Sequence, residues 1–495
     1  MRPRLLFALF TLLPAVAIAA DSPAPAHPNI LFILADDLGW SDLGCNGGDL
    51  VETPAIDRFA RQNLRFTDCY GQSICTPSRA ALMTGQHPAR LHMTTWSEAA
   101  IAGTPVNRKL LEPASLPNLP HTEATLAQNL HDAGYLTALI GKWHLGDSDH
   151  FPESFGFDVN IGGNQWGATN SFFWPYSGSG VHGPEFRFVP HLELGHPGEY
   201  LTDRLTDEAI RVMDHAGSQP FFIYLAHYAV HTPVTAKDGV DHFKSKLGPG
   251  VHHKNAIYAA MTRDLDVDVD RVLAHLHERG LDGNTIVVFA SDNGGYTGLS
   301  KGQKEPVTNN YPLRSGKGSL YEGGIRVPLI VRWPGLTPHG AVCHEPVQLM
   351  DMFYTLTAGA NIPNPKMPAN PDGIDITPVL KDPDIHLNRD ALYFHFPHYY
   401  GTVTSPVSAI RSRDWKLLEY FEDHHTELYN LKDDLSEKID LSKQNPEKTS
   451  DLLARLHAWQ TSVNVTFPTQ NPAFQSSPRH VGMVQLEDPE FKTPQ

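Results

Sequence analysis

Five short runs of β-branched and aromatic residues, each ending in polar or charged side chains, constrain this chain more than any other feature. They are NILFILADD (29–37), TALIGKWH (137–144), PFFIYLAHYAVH (220–231), NTIVVFASDNG (284–294) and VPLIVRWPG (327–335). Runs this short and this continuously apolar read as strands buried on both faces. Helical patterns lie between them. In 255–280, Ile257, Met261, Leu265, Val269, Val272 and Leu276 recur at three- and four-residue steps, and Gly280 stands as a stop. The stretch 201–217 has the same character and is closed by Gly217. Strands alternating with helices predict an α/β fold with a mainly parallel central sheet flanked by helices.

The pattern changes near 363. PNPKMPANPDG (363–373) is a Pro-rich connection, followed by strand-like runs at 391–400 and 408–422, a helical stretch near 449–463 and a polar tail. This predicts a larger N-terminal domain over 21–375 and a smaller C-terminal α+β subdomain with a polar tail over 376–495. No internal repeat is visible. The first twenty residues have the form of a signal peptide: Arg2 and Arg4, then an apolar run from Leu5 to Leu13, then the small-residue pattern Ala17-Ile18-Ala19. The expected location is outside the cytoplasm, periplasmic or secreted. No later stretch has about 18 unbroken apolar residues, so no membrane partner is expected. The net charge of −16 with no basic block argues against nucleic acid. A sulfated or phosphorylated substrate stays open, because a local cationic pocket can sit in an acidic protein.

Four cysteines are too few for a disulfide scaffold; one bridge among Cys45, Cys69 and Cys343 stays open. Cys75 is the odd one, set in GQSICTPSRAALMTG (71–85) with no partner for a metal or redox pair nearby. In an oxidising compartment such a thiol must be buried, bridged or chemically used. DLDVDVD (264–270) lacks the Gly and Glu of a calcium loop, and its aspartates read as the wet side of the 255–280 helix.

Parallel sheets carry functional groups at the carboxyl ends of their strands. That rule gathers Asp36, Asp37, Lys142, His144, His231, Asp292 and Asn293 on one edge. The oxygen donors Asp36, Asp37, Asp292 and Asn293, with no zinc-spaced Cys/His pair, favour a hard cation, Ca²⁺ or Mg²⁺. Arg79, Lys142 and Lys317, with His144 and His231, surround the same edge and suit an oxyanion bridged to a metal. A helix starting near PSRAALMTG would place its positive end beneath residue 75. His227 precedes His231 by four residues, and strand alternation would put both on one face; His227 reads as a packed residue.

CTPSRAALMTG (75–85) resembles the C-x-P-S-R motif of the type I sulfatases, the formylglycine-dependent, arylsulfatase-like family. GKWHLG (141–146), NILFILADDLGWSDLGCNG, AVHTP, FASDNGG and GKGSLYEGGIRVPLIVRWPG are similar to its members in the expected order, and ELYNLKDDLSEKIDLS (427–442) resembles their C-terminal subdomain. The resemblance covers most of 28–445 and implies an alkaline-phosphatase-like fold. It implies calcium-dependent hydrolysis of sulfate esters, with magnesium second to calcium, and oxidation of Cys75 to formylglycine, an aldehyde. The partner for that step would be a formylglycine-generating or anaerobic sulfatase-maturing enzyme reading Pro77 and Arg79. By the same resemblance Asp36, Asp37, Asp292 and Asn293 ligate Ca²⁺ with an oxygen from residue 75. One hydroxyl of the aldehyde hydrate attacks sulfur. His231 protonates the leaving alcohol, Lys317 binds sulfate, and Arg79 and Lys142 hold the hydrate's oxygens. His144 takes the second hydroxyl's proton as sulfate is expelled. A sulfated saccharide or polysaccharide is the expected substrate, with Trp96, Trp166, Trp174, Tyr176 and His182 as candidates for the rim of its pocket. Two other readings stay beside this one: a phosphatase or phosphodiesterase of the related fold, and a non-catalytic glycan-binding protein with an unmatured site.

Overall fold

The computed structural model describes residues 27–103, 107–401 and 404–475. The signal-peptide reading at 1–20 and the last twenty residues of the tail lie outside the described residues.

The five apolar runs all form strands. In chain order the main sheet contains β1 (Asn29–Ala35), β2 (Leu64–Tyr70), β3 (Leu136–Gly141), β4 (Val159–Ile161), β5 (Phe221–Ala226), β6 (Thr285–Ser291), β7 (Arg326–Arg332), β8 (Val342–Cys343) and β9 (Val347–Gln348). The order across the sheet is β8-β2-β7-β6-β1-β5-β3-β4, with β9 also on β2. β1 lies in the middle, parallel to β5 through Ile30↔Phe222 and to β6 through Ile30↔Ile286. Every residue of β1, β5 and β6 is buried, which accounts for the absence of polar alternation in their sequences. β7 runs antiparallel to both β6 and β2, so the sheet is mixed rather than uniformly parallel.

The helix at Ala256–Glu278 begins where the Asn255 side chain accepts the N–H groups of Ile257 and Tyr258. Its Met261, Leu265, Val269, Val272 and Leu276 are buried as their spacing predicts. Of the four aspartates at 264–270, Asp270 is half exposed beside Arg58, as the wet-side reading expects, and the other three are not. Asp264, Asp266 and Asp268 are buried, and Val267 between them is 45% exposed. Asp266 accepts the N–H groups of Ala55 and Ile56 at the start of the helix Pro54–Gln62, and Asp268 pairs with Arg271 at 2.6 Å. The helix is packed from two sides, so polar residues serve as caps for neighbours there, which a single-helix pattern does not reveal.

Toward the C-terminus, β10 (Leu392–Phe396), β11 (Val407–Ser412), β12 (Trp415–Tyr420) and β13 (Thr426–Asn430) form an antiparallel sheet in that order. The helix Pro446–Ser462 packs on one face through Leu452 and Leu456 against Ile410, Leu417 and Leu428. The other face, with Phe394, Ala409 and Leu418, joins the core of the main sheet. Cys45, Cys69, Cys75 and Cys343 are all free thiols, so the open question of a bridge is answered against one. Among the described residues no helix is long and apolar enough to cross a membrane.

Candidate active site

Asp36 and Asp37 follow β1 directly, and Asp292 and Asn293 follow β6 directly. Lys142 follows β3. The turn there passes so close to β5 that a Cβ on Gly141 would lie 1.9 Å from the Ala226 carbonyl oxygen, and Gly141 sits at φ +108. Cys75 opens the helix Cys75–Thr84, which places Arg79 one turn deeper on the same side. Lys317 comes from a loop pinned by two backbone bonds, Lys317 N–H to Gly295 O and Gly318 N–H to Ser73 O. Residues from five separate parts of the chain therefore meet at one sheet edge.

The contacts are close and interlocked. Lys142 Nζ is 2.7 Å from Asp36 Oδ2, and Lys317 Nζ is 2.7 Å from Asp37 Oδ1. Arg79 Nε donates to Asp292 Oδ2 at 3.0 Å, and its Nη2 lies 3.6 Å from Asp36 Oδ1. Asn293 Nδ2 donates to Asp37 Oδ1 at 2.8 Å. Cys75 Sγ stands 3.5 Å from Asp36 Oδ1 and 3.8 Å from Asp37 Oδ1. His231 Nε2 is 3.5 Å from Asp37 Oδ2, while its Nδ1 faces the Thr232 carbonyl at 2.8 Å.

Three carboxylates and three fixed cations so nearly cancel inside a buried cluster. Burial raises Asp36 to about 7, with Lys142 pulling down and Asp292 pushing up. Burial also acts upward on Asp37, but Lys317 and His231 hold it below the usual carboxylate range. Burial drives the Cys75 thiol far above its ordinary value, so the unmodified side chain is not a thiolate. His231 is pulled down by burial and then by Lys317.

The donor set fits a hard cation. One ligand atom from each of Asp36, Asp37, Cys75 and Asp292 lies within 4.8 Å of the others. Asn293 Oδ1 is buried at the same place with no hydrogen-bond partner among the described residues, an oxygen left over by the contacts around it. Thiol sulfur is the one soft atom among hard ones.

A cavity of about 490 Å³ opens above Cys75, walled by Trp96, Glu98, His144, His231, Lys317 and Tyr400. Of the five rim candidates, Trp96 and His182 line it, and Trp166 lines an adjoining compartment. Trp174 and Tyr176 line neither. Trp174 packs on the core, and Tyr176 is fully buried with its hydroxyl donating to Glu199 at 2.6 Å. His227 is fully buried beyond the end of β5; alternation along a strand does not relate it to His231, because the strand stops at Ala226. Sequence reasoning missed Glu98 and Arg187. Glu98 Oε2 is 2.7 Å from His144 Nε2, and Arg187 Nη1 is 3.2 Å from Glu98 Oε1. Glu98 lies in the short helix Ser97–Ala102 and Arg187 in the two-residue strand Arg187–Phe188, elements too short for periodicity to mark them.

A mainly parallel sheet with carboxylates, fixed cations and a shaped cavity at its carboxyl edge defines a hydrolase of anionic esters. Residues 28–362 match the family model described as Sulfatase, and residues 316–463 match N-sulphoglucosamine sulphohydrolase, C-terminal. The chain belongs to the sulfatase family and is a sulfuric ester hydrolase. It is similar to a sulfatase of Formosa agariphila, 33% identical over 91% of this chain and 92% of that one. It is also similar to N-acetylgalactosamine-6-sulfatase of Mus musculus, 35% identical over 73% of this chain and 68% of that one. Among solved structures, Ps i-CgsB in complex with k-i-k-neocarrahexaose has a TM-score of 0.71 at 31% identity, covering 90% of this chain and 94% of that one.

Proposed function

We propose that the chain removes sulfate from saccharides by a formylglycine made from Cys75, with Ca²⁺, ahead of Mg²⁺, held by Asp36, Asp37, Asp292 and Asn293. The observation that carries this reading is the misfit at residue 75. A protonated, buried thiol sits on the floor of the cavity among oxygen donors, where an oxygen-bearing side chain would complete a hard-cation set. Bound calcium would supply the positive charge that acidifies a hydroxyl of residue 75 and offsets sulfate's negative oxygens.

The protein's own groups do the rest. Arg79 and Lys142 are both tied to the carboxylates beside residue 75, which fixes them as donors to its oxygens. Lys317 reaches the cavity from the other side, where it can hold a sulfate oxygen. His231 has its Nδ1 committed to a backbone carbonyl, so Nε2 is the nitrogen that meets the leaving oxygen. Burial and Lys317 keep His231 neutral at rest, and the negative charge of a bound sulfate ester acts in the opposite direction, favouring the protonated acid. In this reading His144, which lines the same cavity as Cys75, takes the proton released when residue 75 returns to the aldehyde.

Saccharides are favoured by the aromatic walls, Trp96 and Tyr400, and by relatives named for sulfated sugars. Export and maturation by a formylglycine-forming enzyme belong to the same proposal, as does a division between a catalytic domain and a C-terminal subdomain near 375. The test pairs a mass spectrum of the residue-75 peptide with a desulfation screen on defined sulfated saccharides, phosphate mono- and diesters serving as counter-substrates. An aldehyde at 75 with sulfate release from at least one saccharide is the expected result. Full activity with an intact thiol, or turnover confined to phosphate esters, would overturn it.

A further inference from the structure

The cavity over Cys75 is open on one side. Trp96, Glu98, His182, Arg187 and Tyr400 line both it and a second compartment of about 590 Å³, which Trp166 and Tyr399 also line. The two arginines of that compartment are already engaged. Arg187 lies over the Trp166 ring at 4.7 Å, bonds Glu98, and donates to the His182 carbonyl at 3.0 Å. Arg108 lies over the Tyr399 ring at 4.9 Å and donates to the Gly401 carbonyl at 3.0 Å. Carboxylates of Glu98, Glu112 and Glu185 stand in the same walls. A space lined by flat rings, with its cations balanced, suits the face of a neutral pyranose better than a second sulfate.

We propose that this compartment is a subsite for a neighbouring, unsulfated pyranose of the same saccharide chain, stacked between Trp166 and Tyr399, while the sulfated ring sits over residue 75. This rests on the sulfatase reading. The test compares kcat/KM for a sulfated monosaccharide, the disaccharide with a neutral added ring, and that disaccharide with sulfate on the added ring. In the wild type the neutral ring raises kcat/KM about tenfold or more. In Trp166→Ala, and separately in Tyr399→Ala, that ratio falls toward one. A wild-type ratio near one, a ratio unchanged in both variants, or a preference for the sulfated second ring would overturn the subsite. Absence of turnover even of an activated phenol sulfate by aldehyde-bearing enzyme would instead remove the sulfatase reading itself, and the subsite with it.

Glu98 also governs His144 directly. One carboxylate oxygen meets His144 Nε2 at 2.7 Å, and the other accepts Gly167 N–H at 3.1 Å and Arg187 Nη1 at 3.2 Å. Burial pushes Glu98 upward, but His144, the Gly167 N–H and Arg187 together hold the group below the usual carboxylate range. An ionised carboxylate only accepts, so Nε2 carries the proton and Nδ1 is the bare nitrogen. Nδ1 is buried with no hydrogen-bond partner among the described residues. Gly167 presses on the ring: a Cβ there would lie 2.2 Å from His144 Cε1, so the ring is wedged in place.

We infer that Glu98 is a positioning residue that keeps His144 in the Nε2–H form, leaving Nδ1 to accept a proton when residue 75 is regenerated. In that step the bond from the residue-75 carbon to the sulfate oxygen breaks and its electron pair leaves with sulfate. The other hydroxyl's O–H pair becomes the carbonyl π bond, and its proton passes to His144. Glu98→Gln is expected to lower kcat about 10–100-fold. KM moves little, kcat loses its dependence on leaving-group acidity, and quenched enzyme carries sulfate on residue 75. Glu98→Asp, which keeps the charge, recovers part of the rate. Loss of rate without sulfated enzyme, or no loss in Glu98→Gln, would overturn the assignment. A wild type that never shows an aldehyde at 75 would overturn the formylglycine reading on which the assignment rests.

Discussion

Two of the buried charge clusters among the described residues differ in what they leave open. One joins the main sheet to the C-terminal sheet. Lys416 Nζ on β12 is 2.9 Å from Glu322 Oε1 and 2.8 Å from Glu437 Oε1. Arg326 Nε is 2.7 Å from Glu322 Oε2, and Arg411 Nη2 is 2.7 Å from Asp68 Oδ1. Lys416, Glu322 and Glu437 are wholly buried and face one another. The other cluster, around Asp36, Asp37 and Asp292, is just as buried at its base. It differs in fronting a cavity, and it leaves Asn293 Oδ1 without a partner among the described residues. Buried charge alone therefore does not mark a site; an opening onto a cavity does.

The comparison can be broken at either end. The largest effect is expected for Cys75→Ala, which should cost turnover about 10⁴-fold or more. Its thermal melt should stay close to that of the wild type, and substantial residual sulfatase activity would refute the nucleophile. Lys416→Met should do the reverse. It strands two buried carboxylates and should lower unfolding free energy by about 3–5 kcal/mol in a urea titration. Activity per folded molecule should be kept; a loss of kcat in folded protein would mean the two clusters are coupled.

His231→Ala sharpens the catalytic side. A general acid matters most for poor leaving groups, so sugar sulfates should lose about 10²–10³-fold and an activated phenol sulfate far less. Equal losses would count against that role. His253 provides a control outside both clusters. Burial acts to lower its pKa, but its hydrogen bonds to the Asp42 and Asp49 carboxylates, with their negative charges, outweigh it and raise it to about 9. A raised histidine stabilises fully below its unfolded value of about 6.5, and that share of about 3 kcal/mol is lost as pH rises through about 9. Unfolding measured against pH should show this decline, and His253→Gln should flatten it. The smallest shift is expected from chelation: removing calcium held at about 100 times its Kd should lower stability by about 2.7 kcal/mol and activity with it. Indifference to a strong chelator would undermine the ligand set.

Much of the fold was legible because strand burial writes itself into continuous apolar runs. The runs at 29–37 and 284–294 placed Asp36, Asp37, Asp292 and Asn293 at strand ends, and β1 and β6 are neighbours in the sheet. The aspartates at 264, 266 and 268 were misread because helical periodicity describes one buried face, and this helix has two. The direction of β7 was not legible either, since strand composition does not encode the sense of pairing.

By itself, the sequence determined the sheet, the strand-end carboxylates and the family, since short-range pattern and motif order survive without coordinates. Only the tertiary structure decided which loops close on residue 75. Glu98, Arg187 and Tyr400 come from widely separated stretches of the chain and meet only because packing brings them together. Nothing local distinguishes such residues, because their role depends on neighbours that are distant in the chain.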